Sequence, residues 1–198
     1  KFDLFKRFGL IGAAGDRHLA EFIPYVYLRD VETARRWKFS LTPVEWRIKN
    51  RERLIELSKE FVSGGKDVPL HPSGEEGVMQ MKSIFGLDTF VTNVNLPNRG
   101  QIPNLPACAI VETNAVFSRD DVRPVFAGEL PSDLASIMIR HISNQELIVR
   151  AALEKDINLA RRAFLNDPAV ERLSADDANK LFNEMIDNTK EYLKYLGL

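Results

Sequence analysis

The 198-residue sequence contains one cysteine, three histidines and a formal net charge of only −1. A lone cysteine, Cys108, excludes an internal disulfide framework and is typical of a reducing compartment, so we expect a cytoplasmic protein. The near-zero net charge argues against a nucleic-acid partner, because nucleic-acid-binding domains usually carry a basic excess. No apolar run approaches the roughly 20 residues needed to cross a bilayer, and no signal-peptide pattern opens the chain. We therefore expect neither nucleic acid nor a membrane as a partner.

Motifs that hold a nucleotide or a metal are also missing. The sequence has no glycine-rich dinucleotide fingerprint, no P-loop, no HExxH and no paired-cysteine spacing. Cys108 lies in a predicted strand, where we expect a small buried apolar residue and not a nucleophile. His141 lies on a mostly apolar predicted helix and is expected to be a hydrogen-bonded packing residue. His71, in the loop VPLHPSGEEG, is compatible with a turn residue or a ligand.

The periodicity of the remaining residues predicts one α+β domain over residues 1–198, with helices packed on a small, mainly antiparallel sheet. The chain opens in helical rhythm without Met or a cap, so we expect it to be a piece of a longer protein. The wide apolar faces of the long helices lead us to expect a homo-oligomer. Helices are predicted at residues 1–9, 16–27, 30–37, 43–62 and 75–85, in two segments over 132–165, and from the capping sequence at 174–177 to residue 196; strands are predicted at 90–96, 108–117 and 122–126.

Two stretches of polar residues predict a binding site. In GLIGAAGDRHLAEF, the groups Asp16, Arg17 and His18 follow a loop with almost no side chains, which allows a ligand to approach the backbone closely. The alternative is structural, with Asp16 as a helix N-cap and Arg17 paired with Glu21 four residues on. In NVNLPNRGQIPNLP, Asn98 and its neighbouring asparagines supply amides at the end of a strand. An arginine, a carboxylate, an imidazole and amides are together typical of a sugar site.

Four segments carry a family resemblance. GAAGDRHLAEF, SGEEG, VNLPNRGQIPNLP and NQELIVRAALEKD, in this order, resemble the C-terminal half of glycoside hydrolase family four, and the similarity runs from residue 1 to 196. The form GDRHLAEF is similar to the branch of α-galactosidases, α-glucosidases and α-galacturonidases that act on unphosphorylated sugars. Within that branch the sequence favours an α-galacturonidase.

The resemblance implies a fold like the C-terminal domain of the lactate and malate dehydrogenase-like family-four enzymes, preceded by an N-terminal Rossmann domain that binds NAD. It also implies manganese and a reaction in which NAD-dependent oxidation of the sugar is followed by elimination, water addition and re-reduction. The family's cysteine and histidine metal ligands belong to the half that is missing here, so no metal ligand is assigned, the NAD contacts are unknown, and this chain alone is expected to be inactive.

By the same resemblance Asp16 takes the place of the catalytic base, and a small sugar or uronide is the expected substrate. The expected substrate contacts are Arg17, His18, His71 and Asn98. Two other functions remain open from the residues themselves. One is the C-terminal domain of a lactate- or malate-type dehydrogenase, and the other is a non-catalytic helical interaction domain in which the charged triplet only caps a helix.

Overall fold

Helices and one small sheet follow each other in three blocks along the chain. The computed structural model describes residues 1–40, 42–69 and 71–196. Within these described residues, six α-helices precede three strands and three more α-helices follow them, which confirms the α+β class. The elements are α1 Phe2–Phe8, α2 Asp16–Phe22, α3 Pro24–Tyr27, α4 Val31–Arg36, α5 Val44–Val62, α6 Gly77–Ile84, β1 Phe90–Pro97, β2 Ile110–Ser118, β3 Asp121–Pro124, α7 Ser132–Glu154, α8 Ile157–Leu165, α9 Ala175–Thr189 and a closing 3₁₀ helix Lys190–Leu196.

The sheet is antiparallel throughout, in the order β1-β2-β3. Phe117 on the central strand pairs with Phe90 of β1 and with Val122 of β3. Along β2 the residues alternate, with Val111, Thr113, Ala115 and Phe117 buried and the residues between them more exposed. Alternation with period two places one face of the sheet against the core. The predicted antiparallel sheet is therefore confirmed.

Cys108 departs from its predicted position. The prediction of a buried cysteine in a strand is wrong, because Cys108 is exposed and lies in a turn with φ +67°. Its N–H donates to the backbone oxygen of Asn98 over 2.9 Å. Pro106, two residues earlier, has no backbone N–H to donate to a strand ladder, and the pairing of β2 with β1 starts only at Ile110.

Among the described residues, two clusters of buried hydrophobic side chains belong to the core, and α7 contacts both. The first contains Ala20, Ile23 and Tyr27, and Ile137 of α7 packs on it. The second contains Leu105, Val111 and Ala135, and Met138 and Ile142 of α7 pack against it. The helical region predicted over 132–165 divides into two helices as expected. Helix α7 ends at Glu154, its C-cap Lys155 has φ +55°, and Asp156 then caps α8.

His141 joins α7 to the end of α2. Its Nε2 lies 2.9 Å from the carbonyl oxygen of Phe22, and its ring meets the Phe22 ring edge-on, with centroids 4.9 Å apart. This confirms the interpretation of His141 as a hydrogen-bonded packing residue. Through this contact the helix that carries Asp16 is fixed on the body of the domain.

Helix α5 lies on the surface of the domain along its whole length. None of its 19 residues is buried, and its apolar residues Val44, Ile48, Ile55 and Val62 are all exposed. Pro43 occupies its N-cap position. Among the residues that the structure describes, no helix is long and apolar enough to cross a membrane.

Asn98 organises the loop between β1 and β2. The side chain is only 3% exposed, and its amide nitrogen lies within hydrogen-bonding distance of three backbone carbonyls, those of Ile102, Leu105 and Pro106. Its Oδ1 accepts from the backbone N–H groups of Gly100 and Ile102. These bonds replace regular secondary structure in a loop, residues 98–109, that contains two prolines.

We predict that Asn98→Ala lowers the free energy of unfolding by about 2–4 kcal/mol, because several buried backbone groups would lose their partner at once. Urea denaturation measures the change. Asn114→Ala, on the exposed side of β2, is the control and should stay within about 0.5 kcal/mol of wild type. Equal effects of the two substitutions would show that the Asn98 network carries no special stability.

Candidate active site

The small-residue loop before α2 makes room for a side chain of the chain itself. A Cβ atom added to Gly12 would lie 2.5 Å from Leu19 Cδ2. A larger residue here would force the Leu19 side chain to move. The sequence alone suggested that a ligand uses this space, whereas at Gly12 Leu19 fills it.

Asp16 is the first residue of α2 and not its N-cap. Gly15 occupies the cap position, and no side chain caps the helix there. The capping interpretation of Asp16 is therefore wrong, although an acid in the first turn still favours the helix dipole. The Asp16 side chain is 64% exposed.

Asp16 lies at a pocket of about 220 Å³ whose other walls are largely aromatic and apolar. Tyr27 is the centre of this wall, with its ring edge-on to Trp37 at 5.0 Å and to Phe39 at 6.4 Å. A carboxylate beside flat apolar rings is an arrangement that suits a sugar, which presents hydroxyls at its rim and C–H groups on its faces. The pocket is lined by Lys1, Phe2, Asp3, Leu4, Asp16, Ala20, Tyr27, Trp37 and Phe39.

A hydrogen-bonded chain of three residues supports the same pocket. The Tyr27 hydroxyl donates to Asp3 Oδ2 over 2.6 Å, and Arg7 Nε donates to the same oxygen over 2.6 Å. The Arg7 guanidinium, followed by the Tyr27 hydroxyl, lowers the pKa of Asp3. Burial, reinforced by the hydrogen bond to Asp3, raises the pKa of Tyr27 to about 12. The i,i+4 spacing of Asp3 and Arg7 is visible in the sequence, but the tertiary partner Tyr27 is not.

Arg17 and His18 face a second pocket, of about 170 Å³. Arg17 Nη1 donates to the Ser40 carbonyl over 2.8 Å and to Thr42 Oγ1 over 3.2 Å. The alternative pairing of Arg17 with Glu21 is therefore wrong, and Glu21 Oε2 instead lies 3.5 Å from His18 Nδ1. The pocket is lined by Arg17, His18, Glu21, Leu28, Phe39, Thr42 and Arg47.

Phe39 lines both pockets, so Asp16 and Arg17 lie on adjoining sites separated by one aromatic ring. Sequence reasoning missed Phe39 and Arg47, which lie 21 and more residues beyond the charged triplet. No short motif connects them to it. Their position depends on how the segment after α4 folds back over α2.

His71 and Asn98, the two other expected substrate contacts, are not brought to these pockets. His71 is exposed in the loop before α6. The Asn98 side chain points into its own loop, where its amide is already bonded to backbone groups. This corrects the expectation of a ligand-facing amide at Asn98.

Metal-ligand chemistry was not assigned to this chain from its sequence. Within residues 1–40, 42–69 and 71–196, no group of three or more His, Cys, Asp or Glu side chains is placed to hold a metal ion. These residues by themselves therefore do not match the donor set of a manganese site.

We predict a distinct loss of stability at alkaline pH that depends on Tyr27. Because the folded-state pKa is raised to about 12 from an ordinary value of 10, the stabilisation is complete below pH 10 and is lost as the pH rises toward 12. Between pH 8 and 11 the wild type should lose about 1.4 kcal/mol more than Tyr27→Phe. Denaturant unfolding at each pH measures this, with the exposed Tyr25→Phe as control. Parallel curves for wild type and Tyr27→Phe would contradict it.

Comparisons of this chain with family models and with known proteins agree on one family. The family model for the family 4 glycosyl hydrolase C-terminal domain matches residues 1–170. An α-galacturonidase from Thermoanaerobacter italicus is 54% identical over 195 residues, which are 98% of this chain and 43% of that protein. The chain thus spans less than half the length of this relative.

Two solved structures share the fold. The crystal structure of lplD from Bacillus subtilis, a candidate glucosidase, has a TM-score of 0.83 at 48% identity and is matched over 93% of this chain and 42% of its own. A 6-phospho-α-glucosidase from gut microorganisms, in complex with NAD and glucose 6-phosphate, has a TM-score of 0.62 at 28% identity, over 73% of this chain and 34% of its own.

Proposed function

The chain belongs to the family 4 glycosyl hydrolase C-terminal domains, and from this premise we propose that it is the sugar-binding part of an α-glycosidase acting on α-galacturonides. The observation that carries the proposal is the 54% identity with an α-galacturonidase over 98% of this chain. The aromatic pocket beside Asp16 and the basic pocket beside Arg17 support it, because a galacturonide presents both an apolar ring face and an anionic group.

We also propose that an N-terminal Rossmann domain completes the protein and that NAD is its cofactor. The 6-phospho-α-glucosidase that is 28% identical holds NAD, which supports this. The family resemblance adds manganese, but the described residues form no metal site, so no step is assigned to the metal. When bound, NAD would oxidise the sugar and so acidify a proton on the neighbouring carbon.

Within this reaction the chain contributes a general base and a residue that binds the substrate carboxylate. Asp16 is proposed to take the acidified proton, since its side chain is exposed, lines the aromatic pocket and is not used as a helix cap. Arg17 is proposed to bind the uronate carboxylate, and His18 lies beside it as a further polar contact. His71 remains a predicted substrate contact without structural support.

The two other functions considered from the sequence are less well supported. The family match is to a glycosyl hydrolase domain, which disfavours a lactate- or malate-type dehydrogenase. A purely structural charged triplet is disfavoured because Asp16 does not cap α2 and Arg17 does not pair with Glu21. A cytoplasmic location and a homo-oligomer remain predictions. The exposed apolar residues of α5 support the homo-oligomer, and light scattering of the full-length protein tests it.

We predict that the full-length protein hydrolyses a p-nitrophenyl α-galacturonide when NAD and Mn²⁺ are supplied, and the matching α-galactoside much more slowly. The 198 residues alone should show no turnover, because the hydride acceptor would be bound elsewhere. Release of p-nitrophenol measures both. NAD-independent hydrolysis, or turnover by the 198 residues alone, would overturn this proposal.

We predict that Asp16→Asn in the full-length protein lowers turnover by about 10²–10⁴-fold, the usual contribution of a general base. In deuterated water the variant should also lose label entry at the sugar carbon next to the one that NAD oxidises. Asp176→Asn is the matched control, because Asp176 is likewise an exposed acid in a first helical turn, that of α9. Both variants should keep their stability within about 1 kcal/mol of wild type. Unchanged exchange in Asp16→Asn would show that another group is the base.

A further inference from the structure

The pocket beside Arg17 has more basic than acidic residues in its lining. Two arginines, Arg17 and Arg47, line it together with a single acid, Glu21, and His18. Its volume of about 170 Å³ is below that of most small-molecule pockets, which measure about 300–1,000 Å³. A pocket of this size suits one charged substituent of a sugar, whereas the adjoining aromatic pocket offers a surface for the ring.

Arg17 is held in place before any ligand binds. The bonds from Nη1 to Ser40 and Thr42 fix one edge of its guanidinium, and the described residues show no hydrogen bond from its Nε or Nη2. A guanidinium fixed on one side loses less rotational freedom when it binds an anion. The remaining N–H groups form the fork that suits the two oxygens of a carboxylate.

Arg47 reaches the pocket from a different element. It lies in the first turns of α5 and, within the part of the chain that the structure describes, forms no ion pair. An exposed helix arginine is ordinarily a solvated surface residue. Arg47 differs from that case because it shares one pocket with Arg17 from α2. Two like charges at one small pocket repel each other, and an anion between them relieves that repulsion.

We infer that Arg47 is a specificity residue that acts together with Arg17 to bind the carboxylate that distinguishes a galacturonide from a neutral galactoside. The inference rests on the proposed function and extends it to a residue that lies 30 positions beyond Arg17 in the sequence. Arg17 supplies the bidentate contact, and Arg47 closes the other side of the anion. The rest of the sugar lies across Phe39, toward Asp16.

The test is direct binding of D-galacturonate, D-galactose and D-galactose 6-phosphate to the full-length protein, measured by calorimetry. Arg47→Met should raise the Kd for galacturonate about 10–100-fold, the usual effect of losing a hydrogen-bonded charge pair, and change the Kd for galactose less than about twofold. Arg47→Lys keeps the charge but not the fork, so it should recover part of the affinity. Arg17→Lys should likewise weaken galacturonate binding selectively.

Arg51→Met is the matched control, since Arg51 is exposed on the same helix one turn later and does not line this pocket. It should leave all three affinities unchanged. Melting temperatures of all variants report whether they fold, and KM for the galacturonide should rise in Arg47→Met with little change in kcat.

Three results would overturn the inference. Arg47→Met could bind galacturonate as wild type does, could lose galacturonate and galactose equally, or the pocket could prefer the sugar phosphate. If the wild type hydrolyses galacturonides and Arg47→Met is unaffected, only the role of Arg47 fails. If the wild type neither binds galacturonate nor hydrolyses galacturonides, the proposed function fails together with it.

Discussion

The site depends on the buried ring of Tyr27, which is 4% exposed. Its hydroxyl is bonded to Asp3 of α1, while its ring packs against Trp37 and Phe39, which follow α4. One side chain thus joins the first helix, the α2–α3 pair and the segment that folds back over α2. Because Phe39 forms part of both pockets, the same packing sets the separation between the carboxylate of Asp16 and the guanidinium of Arg17.

Regular elements were predictable where local periodicity and burial agree. The alternation in β2 and the helical spacing in α7 both reflect contact with one core, so the strands and long helices were found within a few residues of their bounds. Cys108 was misplaced because its turn depends on a positive φ and on a backbone bond to Asn98, neither of which has a sequence period. The same holds for Asn98, whose role is set by carbonyls four to eight residues away.

The candidate site was predictable only in part, for a related reason. Asp16, Arg17 and His18 are adjacent in the sequence, but on a helix they point in different directions, about 100° apart per residue. Asp16 therefore faces one pocket, and Arg17 and His18 face the other. The residues that complete each pocket come from α1, from the segment after α4 and from α5. Their positions follow from tertiary packing, which a motif eleven residues long does not encode.

Helix α5 shows what an apolar pattern alone leaves open. Its apolar residues Val44, Ile48, Ile55 and Val62 form a stripe with the spacing of a buried helix face. None of the residues of α5 is buried within this chain, however. Exposed pairs such as Lys49–Glu45 and Lys59–Glu56 contribute at most about 0.5 kcal/mol each, so they do not substitute for packing. A helix of this kind holds its position firmly only when another surface covers the stripe. Since α5 also carries Arg47 to the basic pocket, whatever covers α5 also determines how firmly that pocket is formed.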